Sequence, residues 1–183
     1  MGLFGYNRST YVKNTKRFKK VLEDFLFTLK TSDAEIIRNI NRAIMRADED
    51  YPKYPQNKCI KATDTRINGY IAKMSEAMRK GNIAVAEAYS FLISEAMGVR
   101  HFGDAPEDAT LIEMKERSAI ANFKLKEIFD RMEKYLKANK DVDKETDPGY
   151  LTLLEKCNEL TDEYNRTREA VFYEEERLRG KKF

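Results

Sequence analysis

Apolar residues in this chain recur at helical intervals, and no stretch alternates apolar and polar positions as a strand requires. Tyr11, Thr15, Phe18, Leu22, Phe25 and Leu29 follow steps of four and three, which places them on one helix face. Val21 and Leu26 widen that stripe, and Lys13, Lys16, Arg17 and Lys20 fall mostly opposite it. The spacing predicts a first helix over 8–30. Ser32 and Glu35 form an S-x-x-E capping box, so a second helix is expected from there through Ile36, Ile40, Ala43 and Ile44. Its pattern fades at Asp48. Tyr51-Pro52-Lys53-Tyr54-Pro55 reads as a loop, because each proline drives the residue before it out of the helical region.

A third helix is predicted over 57–80, with Ile60, Ile67, Tyr70, Ile71, Met74 and Met78 as its apolar set. Gly81 suits its C-terminal cap, and Asn82 suits the N-cap of the next helix. That fourth helix, over 83–97, is the least polar part of the chain. Its apolar residues cover most of the circumference, which predicts a central position in a bundle. Gly98 is expected to end it, with a loop over 99–103. Pro106 followed by Glu107 and Asp108 marks the start of a fifth helix. Leu111, Met114, Ser118, Ala121, Leu125, Ile128, Met132 and Tyr135 carry its three-four rhythm. After a charged linker, Asp147-Pro148 opens a sixth helix through Leu153, Cys157, Leu160, Tyr164 and Val171, with Gly180 at its end. The expected fold class is all-α: about six helices in one domain over 1–183. Four shorter helices occupy 1–98, and a long antiparallel hairpin occupies 104–180.

Composition then removes whole classes of chemistry. The 183 residues include one His and two Cys. A single His cannot complete a His-rich metal site, and paired Glu-x-x-His elements are absent. No phosphate-cradling glycine motif occurs. His101, between the fourth and fifth helices, reads as a turn residue rather than a catalytic base. Cys59 and Cys157 fall in apolar helical patterns and read as reduced, buried small hydrophobes. No catalytic residue, metal ligand or cofactor is assigned.

Charge adds one positive feature. The net charge is only +3. Residues 1–30 nevertheless hold seven basic against two acidic side chains, while 101–147 hold nine against twelve. On the fifth helix, Glu113 with Arg117, Glu127 with Arg131, Asp130 with Lys134 and Glu133 with Lys137 stand at the acid-before-base spacing of a solvated face. The one-signed stripe of the first helix is different, since few acids dilute it. Lys13, Lys16, Arg17 and Lys20 are therefore the candidates for contact with phosphates of nucleic acid or another anionic surface. Tyr51 and Tyr54, in the proline loop, are the candidates for contact with a partner. The short apolar start, Gly2-Leu3-Phe4-Gly5-Tyr6, reads as a cover for the end of the bundle. No window reaches the length of a membrane span, and no secretory pattern opens the chain, so a cytoplasmic protein is expected.

These readings favour a non-enzymatic helical bundle acting through protein–protein contact or self-association, with the heptad rhythm of the long hairpin as its main support. Two alternatives stand beside it. One is binding of nucleic acid or an anionic surface through the first helix. The other is a magnesium-dependent carboxylate enzyme of all-α type.

Overall fold

The computed structural model describes residues 7–29, 32–50, 57–102 and 108–180, with backbone alone at 57, 101 and 102. Among the described residues there are six α-helices and no strand: α1 (Arg8–Thr28), α2 (Ala34–Met45), α3 (Asn57–Arg79), α4 (Ile83–Phe102), α5 (Ala109–Ala138) and α6 (Pro148–Gly180). The chain divides into two compact units, Met1–Glu107 and Asp108–Phe183. The all-α expectation is met, and the caps expected at Gly81, Asn82 and Asp147 are formed.

In the first unit α4 packs against α3 and α2, and α1 packs against α2. Helix α1 starts at Asn7, whose Oδ1 accepts from the Thr10 N–H at 2.9 Å. It buries Tyr11, Thr15, Phe18 and Leu22 of the stripe read from the sequence; Phe25 and Leu29 are half-buried, and Val21, expected to widen the stripe, is exposed. Helix α4 is buried at Ala84, Ala86, Ala88, Ser90, Leu92, Ile93, Ala96 and Met97, which agrees with its central place. Between α3 and α4, Gly81 adopts φ +69°, and the Asn82 N–H reaches back to the Ala77 carbonyl at 2.9 Å. Those are the features of a Schellman cap. Asn82 in turn accepts from the Val85 N–H at 3.3 Å.

Three expected boundaries move. The N-cap of α2 is Asp33, not Ser32: its carboxylate accepts from the Glu35 and Ile36 N–H groups. Helix α5 begins after Asp108, which caps Thr110 and Leu111, so the start lies beyond Pro106. In both cases a carboxylate nearer the apolar stripe takes the orphan amides. The larger correction is at Gly98, which does not end α4; the helix continues to Phe102. Gly98 does not take a positive φ, and it lies against the Arg46 side chain. A glycine inside a helix costs roughly 1 kcal/mol relative to alanine. The contacts of Arg100 in the next turn outweigh that cost.

The second unit is an antiparallel pair. Near one end Lys115 Nζ lies 3.2 Å from Glu175 Oε1, and at the other Tyr135 Oη donates to Asp147 Oδ1 at 2.8 Å. Its seam holds Leu125, Ile128, Cys157 and Leu160, flanked by Met132, Leu153 and Tyr164. Asp147 also accepts from the Tyr150 N–H at 2.7 Å, so it caps α6 as its position before Pro148 predicts. Both cysteines are buried, as their apolar settings predict, and neither is in a disulfide among the described residues.

Candidate functional site

The candidate cations stand where the heptad count places them. Lys13, Lys16, Arg17 and Lys20 are all exposed on α1, on the side away from its buried stripe. Their charge is shared with neighbours. Lys16 Nζ lies 3.5 Å from Glu49 Oε2, and Lys20 Nζ lies 3.0 Å from Asp24 Oδ2. Arg17 Nη2 donates to Asn68 Oδ1 at 3.2 Å, and its guanidinium sits 5.0 Å from the Phe18 ring centre. Exposed pairs of this kind contribute roughly 0–1 kcal/mol each, so they exchange readily for other anions.

Directly behind this face lies a feature that the sequence did not announce. Arg100 of α4 is buried, with its side chain 1% exposed. Its Nε donates to Asp64 Oδ1 of α3. Its Nη1 donates to Thr15 Oγ1 at 2.7 Å and its Nη2 to the Tyr11 carbonyl at 2.9 Å, both on α1. The guanidinium stacks on the Tyr11 ring, 3.9 Å from its centre. Asn14 Nδ2 donates to the second Asp64 oxygen at 2.6 Å. Three helices therefore meet on one ion pair. Burial pushes the Tyr11 hydroxyl above its ordinary value, against the opposing pull of Arg100. Nothing local in the sequence distinguishes a buried arginine or aspartate from an exposed one, so spacing alone does not single out Arg100 and Asp64.

The acidic residues offer less. Among the described residues no group of three His, Cys, Asp or Glu side chains stands close enough to hold a metal ion. Of the four pairs expected along the fifth helix, Glu133 with Lys137 is formed at 2.6 Å, and the others are not ion-paired among the described residues. Glu174, three residues after Val171 and so in the three-four register of the sixth helix, has a side chain only 11% exposed and is held by Arg177, whose Nε donates to Oε2 at 2.7 Å. No helix among the described residues is long and apolar enough to cross a membrane. Tyr51, Tyr54 and the start of the chain lie outside the described residues.

What the structure adds is a set of aromatics off the helical seams. Phe27 on α1 is 93% exposed, Phe129 on α5 51%, and the neighbours Phe172 and Tyr173 on α6 are 58% and 68% exposed. The last two meet edge to face with ring centres 5.7 Å apart. For Phe27, Phe172 and Tyr173 the available signal was position, since each is a large aromatic outside the three-four stripe of its own helix; Phe129, which by spacing broadens the apolar face of the fifth helix, is half exposed instead. Comparison with protein-family models, with curated proteins and with solved structures finds no match for the chain.

Proposed function

We propose that the protein works by contact with protein surfaces, a second copy of itself included, and that the outer face of the α5–α6 pair makes the contact. The observation that carries this reading is the Phe172–Tyr173 pair. Two adjacent aromatic rings, each more than half exposed, stand on a helix of 33 residues whose buried side chains are those of Cys157 and Leu160. Rigid aromatic side chains lose little conformational entropy when they are covered, which is why they dominate the energetics of protein interfaces. Around them Arg168, Glu169, Glu176 and Arg177 supply a polar rim. Phe129 and Leu151 add further exposed apolar surface to the same pair of helices. In this reading the heptad rhythm of both helices serves a coiled-coil hairpin whose seam is internal and whose flank is the interface.

The test uses the full chain. Sedimentation velocity over a range of concentrations should show self-association that is lost in the Phe172→Ser/Tyr173→Ser double variant at unchanged helicity. A photo-crosslinking amino acid placed at position 172 in the source cell should capture a second copy or one defined partner. A strict monomer, together with crosslinks at 172 no different from those at exposed Lys140, overturns the reading.

A further inference from the structure

We propose that the outward face of α1 binds single-stranded nucleic acid, with Lys13, Lys16 and Lys20 against the phosphates and Phe27 stacked under a base. This goes beyond the protein–protein reading and rests on a different helix. Lys13, Lys16, Lys20 and Phe27 are separated by three, four and seven residues, so they form one line along the helix. At 1.5 Å per residue the line runs for roughly 20 Å. It is opposite the buried stripe of Tyr11, Thr15, Phe18 and Leu22. Phe27 is the most exposed of the large apolar side chains described. A ring left in water by its own fold is available to a ligand that carries a flat apolar face.

The chemistry along the line changes in a way that suits a nucleotide strand. Over positions 13–20 it is cationic. The two local ion pairs, Lys16 with Glu49 and Lys20 with Asp24, join side chains that are all at least half exposed. A polyanion can displace such contacts at little cost. Glu23 then stands between Lys20 and Phe27. Its carboxylate repels phosphate and accepts from exocyclic amino groups of bases. Backbone therefore belongs over the lysines, and base over Glu23 and Phe27. Cations that track a strand, next to an aromatic platform for its bases, are the common elements of single-strand recognition.

Other anionic partners fit less well. A duplex keeps its bases stacked, and one phenylalanine on a helix flank gains nothing from them without unstacking a step. A lipid surface takes up the apolar face of an amphipathic helix. In α1 that face is already buried within the first unit.

The experiment is fluorescence anisotropy with the full chain and a labelled deoxycytidine oligomer of about twenty nucleotides, whose bases carry the exocyclic amino group that Glu23 would accept from, at about 50 and 200 mM salt. The wild type should bind the oligomer more tightly than a duplex of equal length, and affinity should fall steeply with salt. The Lys13→Glu/Lys16→Glu/Lys20→Glu variant should lose at least about tenfold. Phe27→Ala should weaken oligomer binding by about tenfold while leaving binding to heparin, an anion without bases, unchanged. All four positions are exposed, and helicity of the variants checks that they fold. The proposal is overturned if the oligomer does not bind at low salt, or if Phe27→Ala binds it as the wild type does. It is also overturned if duplex, heparin, an acidic peptide or phosphatidylserine vesicles bind as tightly as the oligomer.

Discussion

Arg100 and Asp64 form an ion pair inside the first unit, their side chains 1% and 7% exposed, and every guanidinium nitrogen has a partner there or on α1. Removing two charges from water costs several kcal/mol per ion, which their attraction repays only when the remaining donors and acceptors are also satisfied. Here they are: Thr15, the Tyr11 carbonyl and Asn14 complete the set. Asp64→Ala leaves the guanidinium buried without its counter-charge and should cost about 3–5 kcal/mol. Arg100→Met/Asp64→Leu removes both charges and should cost distinctly less. Arg100→Lys should not substitute, because an ammonium cannot serve the Nε, Nη1 and Nη2 directions together. Urea denaturation of the four chains decides it. An Asp64→Ala variant within about 1 kcal/mol of the wild type would show that this pair does not fasten the unit.

The turn of the second unit depends on close packing at Gly149. A Cβ built there would lie 2.3 Å from Tyr135 Oη and 2.8 Å from its Cζ. The ring cannot yield without losing its hydrogen bond to Asp147. Gly149→Ala should therefore destabilise the α5–α6 pair by about 1–3 kcal/mol, the usual range for forced overpacking. Adding Tyr135→Ala should relieve the clash. If Gly149→Ala melts with the wild type, the contact is not a tight one.

The same hydrogen bond should be sensitive at both ends of the pH scale. The Tyr150 N–H and the Tyr135 hydroxyl hold the Asp147 carboxyl below its ordinary value. A carboxyl depressed by folding contributes stability above its ordinary value near 4, lost as pH falls through the lowered one. Donation to Asp147 raises the Tyr135 hydroxyl above its ordinary value. A raised tyrosine contributes stability below about 10, lost as pH rises through the raised value. The carbon shift of the Tyr135 ring, followed by NMR, should titrate above the normal tyrosine range. Asp147→Asn should return it to that range; an unmoved midpoint would refute the coupling.

At Gly81 the backbone itself sets the requirement. Its φ of +69° is strained for a residue with a Cβ, though nothing lies within 4 Å of where that Cβ would be. Gly81→Ala should cost about 1–2 kcal/mol, purely from conformation. Gly81→Asn should cost less, since asparagine tolerates the left-handed region. Equal melting temperatures for the two variants would argue that the cap opens at no cost.

Helical periodicity alone determined most of the architecture. The apolar stripes of α1 and α6, the glycine cap at Gly81, the Asp147 start of α6 and the central place of α4 all follow from local spacing, because each depends on residues within a turn or two. The same count placed Lys13, Lys16, Arg17 and Lys20 on an outward face. Tertiary structure decided what spacing cannot encode. Arg100 is buried because Asp64 and Tyr11, far away in sequence, meet it there, and that meeting also carries α4 past Gly98. Glu174 is covered while Phe27, Phe172 and Tyr173 are left in water. A residue's polarity fixes the cost of burying it; only the arrangement of neighbouring helices determines whether that cost is offset.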